Sequence, residues 1–187
     1  MLDELRARIG DCHRCPLGDT RTTLVFGSGD PCARVMLVGE APGRSEDVRG
    51  EPFVGAAGRL LDELLASAGL KRDTVYIANI LKCRPPANRN PQTIEIKTCT
   101  PFLRDQIRLV NPDVLVTLGN FASRFMLETT EGITQLRGTV RHHEQLMVLP
   151  VFHPAAALYD SSKRGVLFED FELIGRLLGG TAVSPGE

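Results

Sequence analysis

Apolar residues in this chain fall into two kinds of run. Four stretches are short and continuously apolar: residues 33–39 (ARVMLVG), 75–81 (VYIANIL), 114–118 (VLVTL) and 146–152 (LMVLPVF). Unbroken apolar runs of this length predict strands buried on both faces. Between and around them the apolar positions recur at helical spacing. Leu2, Leu5 and Ile9 share one face of a short helix over residues 2–9. Leu60, Leu61, Leu64 and Leu65 mark an amphipathic helix over 55–70, closed by Gly69. Further helices are predicted over 91–110, with Pro91 near the first turn, over 120–127 and over 162–178. Strands alternating with helices predict an α/β domain with an open, mostly parallel sheet of four strands covered on both faces. A single domain is expected over residues 1–180, followed by a flexible tail, 181–187, of small and turn-forming residues.

In such sheets ligands bind at the carboxyl ends of the strands, which directs attention to four short segments. Glu40 follows the first strand in Gly39-Glu-Ala-Pro-Gly43, a turn whose glycines let backbone N–H groups approach a ligand. The segment lacks the Lys-Ser/Thr of a phosphate loop. Asn79 interrupts an otherwise apolar strand and must either bond to neighbouring backbone or read a ligand edge. Gly119 and Asn120 follow the third strand. His153 ends the fourth, before Pro154 and a run of alanines. Phe53, in a loop of turn residues, is either a core plug or a stacking platform.

Composition narrows the partners only slightly. The 187 residues carry a formal net charge of −1, which excludes a tail-driven polycation but not a local patch. One such patch is the net +4 over residues 82–108. It includes Lys82, Arg84 and Arg89, and a solvated helix face is its competing explanation. Lys163 and Arg164 form a smaller cluster. No run approaches the ~18 apolar residues of a membrane span.

Five cysteines, with no apolar signal segment at the start, point to a reducing, cytoplasmic compartment rather than a disulfide framework. Cys12 and Cys15 form a C-x2-C pair, and Cys83 and Cys99 can complete a four-thiolate site. Spacing alone leaves zinc, an iron–sulfur cluster and unrelated core thiols all open. Cys32, just before the first strand, reads as a small buried residue.

Taken together, the segments resemble the family 4 uracil-DNA glycosylases, the iron–sulfur branch of their superfamily. The resemblance runs through C-x2-C-P-L from Cys12 to Leu17, VGEAPG from Val38 to Gly43 and the EDxxGxPFVGxAGxLLD stretch from Glu46 to Asp62. It continues through NxxKCRPPxNRxP from Asn79 to Pro91, Cys99, LVTLG from Leu115 to Gly119, and FHPAAAL from Phe152 to Leu158. It implies a three-layer α/β/α sandwich and a [4Fe–4S] cluster on Cys12, Cys15, Cys83 and Cys99. It also implies a flipped uracil stacked on Phe53 and read by Asn79, with Glu40 near the sugar and a water and His153 beside the base.

On this reading Glu40 and His153 are the catalytic candidates. Gly39, Glu46, Phe53, Asn79 and His153 would contact uracil, with residues 43–47 as the wall that excludes the thymine methyl. Lys82, Arg84, Arg89, Lys163 and Arg164 are candidates for DNA contact, and Leu158 for a wedge in the emptied stack. The expected partner is uracil-containing DNA, single- or double-stranded, met by a monomer. A lyase step is not expected, and the cluster is expected to be structural. The competing readings are a glycosylase for another deaminated base, such as hypoxanthine, and a non-catalytic nucleic-acid-binding module stapled by zinc or iron–sulfur.

Overall fold

In the computed structural model, which describes residues 1–143 and 145–180, a six-stranded mixed sheet is layered between helices. The expected tail, 181–187, lies outside the described residues. Four strands are the apolar runs of the sequence: β2 (Val35–Gly39), β3 (Tyr76–Asn79), β4 (Val114–Leu118) and β6 (Leu146–Val151). They pair in parallel in the order β3-β2-β4-β6. Every residue of β2, β3 and β4 is buried, as their unbroken apolar character demands.

The expectation of four strands is corrected to six. β1 (Ser28–Gly29) pairs antiparallel with β3, and β5 (Arg141–His143) antiparallel with β6, each forming one edge. Neither carries an apolar run, because an edge strand is held mainly by its neighbour's hydrogen bonds. Its brevity and polarity also limit edge-to-edge association.

Alternate residues of the strands divide the core in two. Leu37, Ile77 and Val116 face Leu60, Leu61 and Leu64 of α3 (Ala56–Ser67), and Phe171 and Ile174 of α8 (Ser162–Gly180). Met36, Ala78 and Leu115 face Leu103 and Ile107 of α4 (Thr93–Val110), and Ala122 of α5 (Asn120–Leu127). The amino-terminal helix α1 (Leu2–Ile9) packs on α4 through Leu5 and Ile9, with Phe26 and Phe102.

The start of α4 shifts from the expected position. Pro91 lies outside the helix, and Gln92 is the cap. Its N–H donates to Glu95 Oε2 at 2.7 Å. Three short helices have no counterpart in the sequence reading: α2 (Arg44–Arg49), α6 (Ile133–Leu136) and α7 (Ala156–Tyr159). Two of them flank the site. Among the described residues no helix is long and apolar enough to cross a membrane.

The order in which parallel strands are added reverses at β2. From there β3 lies to one side and β4 and β6 to the other. The crevice at such a switch point, beyond the carboxyl strand ends, is where ligands of open α/β sheets bind.

Candidate active site

A cleft of about 330 Å³ occupies this crevice, and Glu40, Gly43, Phe53, Asn79, Arg89 and His153 are among its walls. The fold brings Glu40, Asn79 and His153 there because each ends or follows a parallel strand. Phe53 arrives from the loop between α2 and α3.

The backbone of Glu40 is pinned. Ile80 N–H donates to Gly39 C=O and Leu81 N–H to Glu40 C=O, both at 3.0 Å, so the β2–β3 ladder continues past the strands. The carboxylate itself is half-buried and has no hydrogen bond or ion pair among the described residues. Burial pushes it above the usual carboxylate range. A desolvated anion without a resident cation is suited to a positive charge that forms only during a reaction.

His153 Nδ1 accepts the Ala155 N–H at 3.1 Å, which leaves the proton of the neutral ring on Nε2. Burial lowers its pKa to about 4, and the Glu46 carboxylate only partly opposes this. The ring is therefore a neutral donor near pH 7. It stacks on Phe53, with centroids 5.5 Å apart and planes 27° from parallel.

Asn79 is 2% exposed, and its Oδ1 is buried without a hydrogen-bond partner. A bond from this atom to neighbouring backbone, the simpler of the two sequence-based explanations, is not present. A buried acceptor left open costs roughly 1–3 kcal/mol, so an orphan lining a cleft marks a place for a ligand donor. Gly39 makes the arrangement possible. A Cβ there would lie 2.4 Å from Asn79 Oδ1 and 2.9 Å from the Phe53 ring.

Glu46 also lines the cleft, but its Oε1 is already engaged, accepting the N–H groups of Val54 and Gly55, each at 2.9 Å. It therefore caps the entry to α3 and fixes the loop that carries Phe53. α2, which bears Glu46, is itself anchored where buried Asp47 accepts the Thr22 N–H at 2.9 Å. One residue absent from every sequence motif also acts on this loop: Arg72 donates to the carbonyls of Pro52, Phe53 and Gly58.

Cys12, Cys15, Cys83 and Cys99 line one small cavity with Ile9, Leu24 and Phe102. Donors reach three of the sulfurs: Arg14 to Cys12 at 3.4 Å, Arg21 to Cys83 at 3.5 Å, and Lys82 N–H to Cys99 at 3.2 Å. Four soft donors in an apolar setting, with N–H groups directed at sulfur, suit a thiolate-held iron–sulfur cluster. Among the described residues no three His, Cys, Asp or Glu side chains converge as ligands of a single ion. Cys32 is corrected from buried to exposed. It sits in a turn where its N–H donates to Asp30 Oδ1 at 2.8 Å.

Several candidates for DNA contact change character. Lys82 is 1% exposed and cannot reach a phosphate. Its Nζ donates instead to the Asn79 carbonyl at 2.6 Å. Burial lowers its pKa to about 8, with the nearby Cys99 and Cys83 opposing that shift. Arg89 lines the cleft but pairs with fully buried Glu95. Arg84 donates to Asn88 Oδ1 at 2.7 Å. Lys163 pairs with Asp160 at 3.2 Å and Arg164 with Glu63, both away from the cleft lining. The local charge counted from sequence is thus partly neutralised. Leu158 is 49% exposed on α7, and the adjacent Tyr159 is 92% exposed.

Known proteins resemble this chain over most of its length. Residues 26–172 match the family model described as the uracil DNA glycosylase superfamily. The chain is 46% identical to a type-4 uracil-DNA glycosylase of Archaeoglobus fulgidus, over 95% of this chain and 94% of that protein. It is 42% identical to a type-4 uracil-DNA glycosylase of Thermotoga maritima, over 92% of each. A type-5 uracil-DNA glycosylase of Pyrobaculum aerophilum is 32% identical over 82% of each. A cleft at the sheet's switch point, lined by strand-end residues, thus occurs in a chain whose similarity to these proteins extends over nearly its whole length: this protein belongs to the uracil-DNA glycosylase superfamily, among the type-4 uracil-DNA glycosylases.

Proposed function

We propose that this protein is a monofunctional glycosylase that extrudes uracil from DNA and hydrolyses its N-glycosidic bond, leaving an abasic site for repair. The observation that carries the assignment of roles is the orphaned Oδ1 of Asn79 in the cleft. Uracil presents an N3–H donor beside the O4 acceptor. The Asn79 amide answers both, Oδ1 accepting and Nδ2 donating. Cytosine reverses the two groups and meets like with like. Phe53 supplies the stacking face, and residues 43–47 form the wall that a thymine methyl would strike.

As the bond to C1′ breaks, its electron pair passes to uracil N1 and spreads onto O2 and O4. His153 Nε2–H donates to O2, where a preorganised donor to a developing charge is worth about 3 kcal/mol. The sugar becomes oxocarbenium-like, and the Glu40 carboxylate stabilises it, as carboxylates do in glycoside hydrolysis. Glu40 also orients water for attack at C1′ and accepts its proton. The departing uracil anion is reprotonated from solvent. A [4Fe–4S] cluster on Cys12, Cys15, Cys83 and Cys99 supplies a crosslink when bound. Those four thiolates would hold it between the amino-terminal loop, the loop after β3 and α4.

Arg89, in the cleft lining, and Arg84, bonded to Asn88 of that lining, would meet phosphate while keeping their partners, and Leu158 would fill the vacated stack. The enzyme works as a monomer in the cytoplasm, where thiolates stay reduced.

Oligonucleotides carrying a single uracil, thymine, cytosine or hypoxanthine, incubated with the protein and then treated with alkali, test the activity. Strand breaks are expected at uracil, and none at uracil would overturn the assignment. The cluster has its own test. The purified protein is expected to be brown with broad visible absorbance, and Cys83→Ala to lose that colour and melt at lower temperature. A colourless parent that holds zinc would overturn the cluster.

A further inference from the structure

Phe53 stands in an unusual backbone conformation. Its φ is 54°, in the left-handed region that non-glycine residues rarely occupy. No strand or helix contains it, yet its ring forms a wall of the cleft and stacks on His153. Something must hold the turn. Gly58 gives it room, since a Cβ there would lie 1.7 Å from the Phe53 carbonyl oxygen.

Arg72 supplies the grip. It lies in the turn Arg72–Thr74, between α3 and β3. Its Nη1 donates to Pro52 C=O at 3.2 Å. Its Nη2 donates both to Phe53 C=O and to Gly58 C=O, the latter at 3.2 Å. Its Nε pairs with Asp62 of α3, which fixes the guanidinium plane. One planar fork thus collects three main-chain carbonyls, two in the Phe53 loop and that of Gly58 in the first turn of α3, a geometry that an ammonium group does not reproduce. On the other side of the same loop, Glu46 takes the N–H groups of Val54 and Gly55. The carbonyls meet a cation and the amides an anion, so the loop is fastened from both sides.

We propose that Arg72 is a positioning residue for uracil recognition, holding Phe53 in its left-handed conformation so that the ring is preorganised to stack on the flipped base. The inference rests on the cleft being the uracil site. Arg72 touches no substrate and acts through Phe53.

The test is a double-mutant cycle with Arg72→Lys, Arg72→Gln and Phe53→Leu, alone and combined. It is read as inhibition by free uracil, KM and kcat on uracil-containing DNA, affinity for abasic-site DNA, and melting temperature. Free uracil reports the base pocket, and abasic DNA reports the rest of the binding surface. Arg72→Gln is expected to weaken uracil inhibition and raise KM about tenfold, since small displacements of a positioning group carry costs of this order or more. Its affinity for abasic DNA should stay within about twofold. Arg72→Lys, which keeps the charge but not the fork, should fold well and show most of the same loss. In the Phe53→Leu background Arg72→Gln should cost nothing more, because the two residues act in series. Losses that add across the two positions, or uracil inhibition unchanged in Arg72→Lys and Arg72→Gln, overturn the proposal. Parent protein that leaves uracil in DNA overturns the functional reading as well; parent protein that excises uracil while the cycle is additive overturns this inference alone.

Discussion

Glu40→Gln is expected to lower the single-turnover rate of uracil excision by about 10²–10⁴-fold, the range for loss of a positioned general base, with little change in DNA affinity. The substitution keeps the size of the side chain and removes only its charge. Charge is what the proposed step needs, because the carboxylate faces a cation that exists only in the transition state. The pH profile separates this role from a structural one. The working form of Glu40 is ionised, and burial holds its pKa above the ordinary carboxylate value. Excision by the parent protein should therefore fall as pH drops through that raised value and recover as pH rises above it. His153, which burial lowers to about 4, gains its proton only below the range in which Glu40 is raised. In Glu40→Gln the remaining slow rate should be flat across the same window. Survival of the parent's acid limb in the variant would assign the titration to another group and remove Glu40 from the chemistry.

The two catalytic candidates were visible in the sequence for a reason that does not extend to the residues supporting them. Parallel strands buried on both faces leave continuous apolar runs, so β2, β3, β4 and β6 are legible. Their carboxyl ends are then known, and with them Glu40, Asn79 and His153. Edge strands leave no such trace: Ser28–Gly29 and Arg141–His143 look like loop until their neighbours are in place. The same holds for side chains whose role depends on distant backbone. No motif or periodicity marks Arg72, because the carbonyls it gathers lie 14 to 20 residues earlier. Lys82 reads as a phosphate contact because lysine is almost never fully buried without a partner. Its partners here are the Asn79 carbonyl and the neighbouring thiols. Summing charge along a segment counts Arg89 without the buried carboxylate of Glu95 that holds it. The identity of the base was never in the periodicity; it entered through the ordered motifs and the resemblance they carry.

Asn79→Ala should separate function from stability more sharply than any other substitution in the cleft. Activity on uracil is expected to fall about 10²-fold in kcat/KM or more, because two hydrogen bonds to the base edge disappear together, at about 1.4 kcal/mol for each tenfold. Discrimination should weaken too: with the amide gone, cytosine is no longer opposed by mismatched donors and acceptors, so the ratio of uracil to cytosine excision should shrink although both rates are low. Stability should move the other way from a normal buried residue. Removing a satisfied core amide lowers the melting temperature, but Asn79 Oδ1 is buried and accepts no hydrogen bond from the rest of the protein. Its removal breaks no hydrogen bond to the protein and lifts a desolvation cost of up to roughly 1–3 kcal/mol, against the small void left behind. The melting temperature of Asn79→Ala is therefore expected to equal or exceed that of the parent. A large fall would mean that the amide is satisfied in the free protein and serves the fold. The combination expected here, stability kept while recognition is lost, is the behaviour of a group held unpaired for the base it reads.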